Sequence, residues 1–498
     1  MTSDHVPSSF NMASYVLARA GDDPAKTALA VLGDDTDERW TYAQIETAIR
    51  GAATGLLETG LTSGDRVLLR LGNTPDFAIA FLACIAVDLI PVPTSSQLSV
   101  GEITKMTLDL APQAIIAAAD ITLPDCATPV INTATLTGFY GMPPADYTYG
   151  DPNRAAYIIF TSGTSGTPRG VVHAHRAIWA RRMMHDGWYG LTRNDRVFHA
   201  GAFNWTYTLG TGLMDPWTVG ATALIPAAGT PPDRLATLLA QHNATIFAAA
   251  PGVYRQILKS PIAPIPTLRH GLSAGEKLPD TTRAAWTSAI NTPIYEAYGM
   301  SECSTFISGS PTQSADAGTL GQPQPGRRIA LLDQHGVSCD TGQIAVHKSD
   351  LGLMLGYLNA PEETAARFSA DWFLTGDIGR RLASGAIAYE GRVDDMMNAG
   401  GYRVSPIEVE TALAQHPDIL EVAAVELRVK SDASVIAAFY TSTDVIVDTE
   451  LAAHCAAHLA RYKCPRIFIR RDALPRGANN KLLRRALRSD WETTHGQT

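Results

Sequence analysis

A chain of 498 residues with 45% hydrophobic and 18% charged content can bury a sizeable core and should divide into more than one domain. Its 40 basic and 49 acidic side chains leave a formal charge of −9, which provides no basic footprint for nucleic acid. Six cysteines (Cys84, Cys126, Cys303, Cys339, Cys455, Cys464) form no C-x-x-C pair, which argues against a zinc site or a disulfide framework and fits a reducing compartment.

Met1 to Asp23 lacks a basic stretch followed by an apolar one, so no secretory signal is read there. The longest apolar run, Phe77 to Val87, falls far short of the roughly 20 residues needed to cross a bilayer. The end, Gly496-Gln497-Thr498, is no peroxisomal address, and the expectation is a cytoplasmic protein without a membrane span.

In chain order, Thr41-Tyr42-Ala43-Gln44 has the form of a capping box, and the amphipathic run behind it stops at Gly60. Asp65 to Leu71 reads as a strand. Thr74-Pro75-Asp76 opens a helix, with proline at the first helical position and an acid in the first turn. Leu89 to Val92, Ala114 to Ala118 and Ala155 to Phe160 read as buried strands. Ala177 to Gly187 is expected to be helical, Arg196 to Ala200 a strand, and alternation continues through Thr245-Ile246-Phe247 to Leu268–Glu276. Short strands from Gly342 to Val346 and around Gly356 suggest a small β-subdomain. Ser405-Pro406-Ile407-Glu408 is a second candidate capping box, followed by a strand from Glu421 to Leu427. The pattern predicts an α/β protein. The expected organisation is a large N-terminal domain (1–393) of two α/β subdomains plus a small β-subdomain, and a small α+β C-terminal domain (394–498).

The most informative stretch is Thr161-Ser162-Gly163-Thr164-Ser165-Gly166-Thr167-Pro168-Arg169-Gly170. Glycines without a Cβ let backbone amides approach a ligand, and successive amides with hydroxyls form an anion-binding concavity. Arg169 adds a planar fork of donors suited to phosphate oxygens. A flexible linker is the ordinary reading of such composition, but a linker does not begin on a buried strand and end on a single placed arginine. No G-x-x-x-x-G-K-[S/T] occurs, which excludes a Walker-type loop.

This stretch resembles the phosphate signature of the adenylate-forming superfamily: acyl- and aryl-CoA synthetases, adenylation domains and luciferases. Four more blocks follow in order: Tyr298-Gly299-Met300-Ser301-Glu302, Thr375-Gly376-Asp377, Gly391-Arg392-Val393-Asp394 with Gly400-Gly401, and Asn479-Asn480-Lys481. The resemblance implies that Thr161, Ser162, Gly163, Thr164, Ser165, Gly166, Gly275, Glu276, Glu296, Ala297, Tyr298, Gly299 and Ser301 bind ATP. Within that set Tyr298 would stack on adenine and Ser301 would touch phosphate. It implies further that Glu302 holds Mg2+, Asp377 takes the ribose hydroxyls and Arg392 contacts the nucleotide. Asp394 would be the hinge of a mobile lid, Gly401 would line the channel for coenzyme A, and Lys481 would assist adenylation from the lid. Arg169 stands where many members have lysine, and Asn480 replaces the usual glycine before Lys481.

The implied catalytic set is Lys481, Glu302 and Arg169, and the implied reaction makes an acyl-adenylate and then a thioester. Coenzyme A is the simplest acceptor, because no carrier domain follows the lid; loading of a separate carrier protein is the alternative. Asn204 stands in the stretch where amino-acid-activating relatives place an aspartate, which argues against an α-amino acid substrate. Nothing singles out oxygen chemistry, and the complete catalytic set argues against a silent nucleotide-binding regulator. The acid pocket is expected from Phe203, Asn204, Trp205, Tyr207, Ala274, Gly299 and Met300. Gly299 would leave room for more than acetate, and the aromatic walls suit an apolar acid, benzoate-like or short-to-medium acyl. His173, His175 and His199 are expected to be structural. The chain is expected to act as a monomer or homodimer with the acid and coenzyme A as its partners.

Overall fold

The computed structural model describes residues 5–33, 37–162, 168–399, 402–430, 433–477 and 482–495. Two compact units emerge, one of Met1–Arg328 with Val346–Phe373, the other of Ile329–Ala345 with Leu374–Thr498. The division expected at 393/394 concerns a hinge, a different property from the density of contacts.

The first unit contains a nine-stranded sheet. At its centre Thr27–Leu32, Thr222–Pro226, Arg196–His199, Ile246–Ala249, His270–Ala274 and Ile294–Met300 pair in parallel. These strands are buried along most of their length, as expected of a parallel sheet covered on both faces. A second, four-stranded parallel sheet holds Ile90–Pro93, Arg66–Arg70, Ala114–Ala117 and Val130–Asn132 in that order. Tyr42–Glu58 is a helix whose capping box is complete: Thr41 Oγ1 accepts from the Gln44 amide and Gln44 Oε1 from the Thr41 amide. Gly60, at φ +94°, ends it as a left-handed stop. Every residue of the helix Pro75–Ala86 except Asp76 is buried. Phe77 and Phe81 stack there at 6.2 Å, each contributing about 1.5–3 kcal/mol by leaving water.

The second unit pairs Ile329–Leu332, Thr341–His347, Trp372–Arg381 and Ile387–Arg392 in one sheet. A separate sheet of Glu421–Lys430, Ala433–Thr441 and Ile467–Arg470 packs against helices Pro406–Leu413, Asp448–His458 and Arg484–His495.

Three local expectations change. Ala177–Gly187 is no continuous helix but two short turns, Ala177–Ala180 and Arg182–Met184, followed by a π-helical turn at His185–Tyr189. The wider turn buries Trp188 and Tyr189 together. Ser405 precedes the helix Pro406–Leu413 without capping it, because its hydroxyl donates to Glu390 O and Glu408 pairs with Lys463. Gly356–Tyr357 joins the sheet of Ala155–Ser162 and Pro168–Ala174 rather than a β-subdomain.

Candidate active site

The phosphate signature spans a β-hairpin. Ala155–Ser162 and Pro168–Ala174 are antiparallel, with Thr161 opposite Arg169 and Ser162 opposite Pro168. Gly163, Thr164, Ser165 and Gly166 lie outside the described residues. Arg169 is half-buried and its Nη1 lies 2.5 Å from Glu363 Oε1, so the fork is held by a carboxylate on the helix Pro361–Ala366.

Ser301 and Glu302 occupy a turn between the strands Ile294–Met300 and Ser304–Ser308. Tyr357 Oη donates to Glu302 Oε1 at 2.8 Å, while the Met354 amide donates to Glu302 O at 2.7 Å. Ser304 closes the turn at φ +63°, a left-handed conformation that costs about 1–2 kcal/mol in a residue other than glycine. The guanidinium of Arg181 fixes it by donating to Ser304 Oγ. Arg181 and Asp215, both buried, form a bidentate pair at 2.7 and 2.6 Å, and Tyr189 Oη donates to Asp215 at 2.7 Å. Burial opposes the Arg181 charge, but Asp215 more than offsets it and raises its pKa.

An aromatic wall lies on one face of the central strands. Trp205 and Tyr207 meet edge to face at 5.1 Å, and Tyr207 Oη donates to Leu272 O at 3.1 Å. They cluster with Trp188, Leu272, Ala274 and Ala297. Gly275, at φ +94°, is needed because a Cβ there would lie 2.7 Å from the Trp205 ring. Thr206 Oγ1 lies 3.5 Å from Ser301 Oγ, so this aromatic wall and the turn of Ser301 and Glu302 touch. Asn204 and Met300 are half-buried.

Two expected pocket residues are placed differently. Phe203 is buried in another cluster and stacks on Phe77 at 5.1 Å. Gly299 opens no space, because a Cβ there would meet Ser304 O at 2.2 Å and Thr305 Cα at 2.4 Å. Its glycine identity follows from the close approach of two strands rather than from room for an acid. Trp188 was not expected at all; nothing in its local sequence distinguishes it from a core tryptophan.

Among the expected nucleotide residues, Tyr298 is half-buried with its ring edge-on to Phe306 at 5.3 Å, and Glu276 is half-buried beyond the strand His270–Ala274. Glu296 is buried; its carboxylate accepts from the Leu278 amide at 2.8 Å and from Arg283 at 2.9 Å. Burial pushes its pKa up to about 7. The native state therefore holds this proton more tightly than the unfolded chain. The corresponding stability is fully present below the ordinary glutamate value and is lost as pH rises through about 7. Glu296→Gln should flatten the decline in stability across this window, as read from urea unfolding at a series of pH values.

His173, His175 and His199 are buried, and burial lowers the pKa of each, for His173 and His199 to about 3. His173 stacks on Tyr157 at 4.6 Å, while His175 Nδ1 accepts from the Met12 amide at 3.0 Å. His199 Nδ1 accepts from the Gly201 amide at 3.0 Å. They are neutral packing groups.

In the second unit, Asp377 and Arg392 are cross-strand partners. Arg392 Nη1 lies 3.5 Å from Asp377 Oδ1 and its Nε donates to Asp394 Oδ1 at 3.0 Å. Tyr389 Oη donates to Asp377 at 3.3 Å, a neighbour the motifs did not reveal. Ala399 pairs with Tyr402 and Arg476 with Leu482, flanking residues 400–401 and 478–481. Gly401 and Lys481 lie outside the described residues.

Comparison with known proteins agrees with this architecture. The model of the AMP-binding enzyme family matches residues 17–358, and that of the AMP-binding enzyme C-terminal domain matches residues 408–481. The chain belongs to the AMP-binding enzyme family. It is 29% identical to the benzoate–CoA ligase of Thauera aromatica, over 97% of each chain. It is 26% identical to the 3-hydroxybenzoate–CoA ligase of an Aromatoleum strain, over 90% of this chain and 91% of that one. A benzoate–CoA ligase structure from Burkholderia xenovorans superposes with a TM-score of 0.86 at 28% identity, covering 96% of this chain and 100% of that one. No helix among the described residues is long and apolar enough to cross a membrane.

Proposed function

We propose that the protein is an AMP-forming acid–CoA ligase acting on an apolar carboxylic acid, benzoate-like or short-to-medium acyl. The observation that carries this reading is the Thr206–Ser301 contact, which joins an aromatic acid wall to a turn bearing phosphate- and metal-directed groups. Relatives named for benzoate and 3-hydroxybenzoate favour the aromatic class.

In the first half-reaction an acid oxygen attacks the α-phosphorus of ATP and pyrophosphate leaves. In the second, the coenzyme A sulfur attacks the acyl carbon, AMP leaves and the thiol proton passes to solvent. Trp205 and Tyr207 hold the acid; residues 161–170 and Ser301 hold phosphates; Asp377 and Arg392 hold the nucleotide; Lys481 offsets the charge that gathers between carboxylate and phosphate. Glu302 suits a magnesium ion, since it offers hard oxygens and its Oε2 has no hydrogen-bond partner among the described residues. A magnesium ion held there would offset the negative charge of the phosphates. Asp394 serves as the hinge between 1–393 and 394–498, and Gly401 lines the coenzyme A channel. The protein works in the cytoplasm as a monomer or homodimer.

The test is acid-dependent exchange of labelled pyrophosphate into ATP across aromatic, linear and branched acids. Exchange led by benzoate-like or short-to-medium apolar acids is expected. Exchange led by α-amino acids or by acetate alone would overturn the substrate class.

A further inference from the structure

Glu302 is bound to one segment through both its backbone and its side chain. The Met354 amide donates to Glu302 O, and three residues on, Tyr357 Oη donates to Glu302 Oε1. The same segment is stitched to the phosphate hairpin. The Leu355 amide donates to Val172 O at 2.8 Å, the Leu358 amide to Gly170 O at 2.7 Å, and Tyr357 lies opposite Val171. Thr364 Oγ1 accepts from the Tyr357 amide at 2.9 Å, which fixes the backbone from which the phenol projects. A donor to a carboxylate forms the stronger, charge-assisted kind of hydrogen bond and sets the rotation of the group that accepts it. The second oxygen, Oε2, has no hydrogen-bond partner among the described residues.

We propose that Tyr357 is a positioning residue for the divalent cation that accompanies ATP: its hydroxyl occupies Glu302 Oε1, turns the carboxylate, and leaves Oε2 facing the cation. This rests on the metal role proposed for Glu302. Because the segment bearing Tyr357 is also hydrogen-bonded to the strand of Arg169, it sets the cation-holding oxygen and the phosphate-holding hairpin in one register.

A purely structural role for the hydroxyl predicts something different: its loss would weaken nucleotide binding with or without the cation. Calorimetric binding of a non-hydrolysable ATP analogue, with and without Mg2+, separates the two. For Tyr357→Phe, affinity in Mg2+ should fall on the order of tenfold and affinity without Mg2+ should match the wild type. Thermal melting of the same samples checks that the variant is folded. Glu302→Gln is run beside it. Should Glu302→Gln lose the gain in affinity from Mg2+ while Tyr357→Phe keeps it, the positioning role is wrong and the metal reading stands. Should Glu302→Gln also keep it, the metal reading fails and this inference with it. Equal loss for Tyr357→Phe in both conditions would reduce the hydroxyl to an anchor of the segment and overturn the proposal.

Discussion

Replacing Lys481 with alanine is expected to slow pyrophosphate release by roughly two to three orders of magnitude, the scale seen when one positioned charge-stabilising group is lost. The physical reason is specific to the first half-reaction. A carboxylate approaching the α-phosphate brings two anions together, and the transition state gathers further charge on oxygen. The ammonium of Lys481 would offset that repulsion and align the reactants. The second half-reaction is attack by a thiol on the acyl carbon of a mixed anhydride whose phosphate keeps a single negative charge, so no carboxylate has to be driven against an anionic phosphorus and the need for the lysine is smaller. Supplied acyl-adenylate should therefore still be converted to thioester by Lys481→Ala. Single-turnover measurement of each half-reaction makes the check, and undiminished pyrophosphate release would remove Lys481 from its role.

The second large effect is on stability. Asp215→Asn should destabilise the protein by about 3–5 kcal/mol, because Arg181 would remain buried with its charge uncompensated. Arg181 donates to both oxygens of Asp215, and Tyr189 depends on the same carboxylate. The consequence reaches the turn of Glu302 through Ser304, two residues further on, which Arg181 holds in its left-handed conformation. Urea unfolding measures the first effect. The second shows as weaker binding of Mg·ATP in the fraction that remains folded. A loss below about 1 kcal/mol, the range of an exposed ion pair, would contradict the assigned role of this pair.

What could be read from the sequence was whatever is encoded locally. The Thr41–Gln44 capping box, the Pro75 helix start and the strand before the phosphate signature rest on neighbours within a few positions, and each is found. The alternation of helices and apolar strands likewise pointed to the α/β class. What escaped depends on approach in space. Gly299 reads as an open pocket position until the Ser304–Thr305 backbone is found against it. Phe203 lies two residues from Trp205 yet belongs to another cluster, because the chain turns between them and periodicity cannot say which way. Ser405 has the right type and spacing for a cap, but Glu390 O competes for its hydroxyl from a distant strand. Tyr357 and Arg181 act on the turn of Glu302 across long sequence separations, and no motif links them to it.

The most direct test of the central claim is the product balance of one reaction containing the purified protein, Mg·ATP, coenzyme A and benzoate, resolved by mass spectrometry. Acyl-CoA, AMP and pyrophosphate are expected in equal amounts, with no ADP. AMP and pyrophosphate without any acyl-CoA would show that the acceptor is not coenzyme A. ADP in place of AMP would contradict adenylation itself.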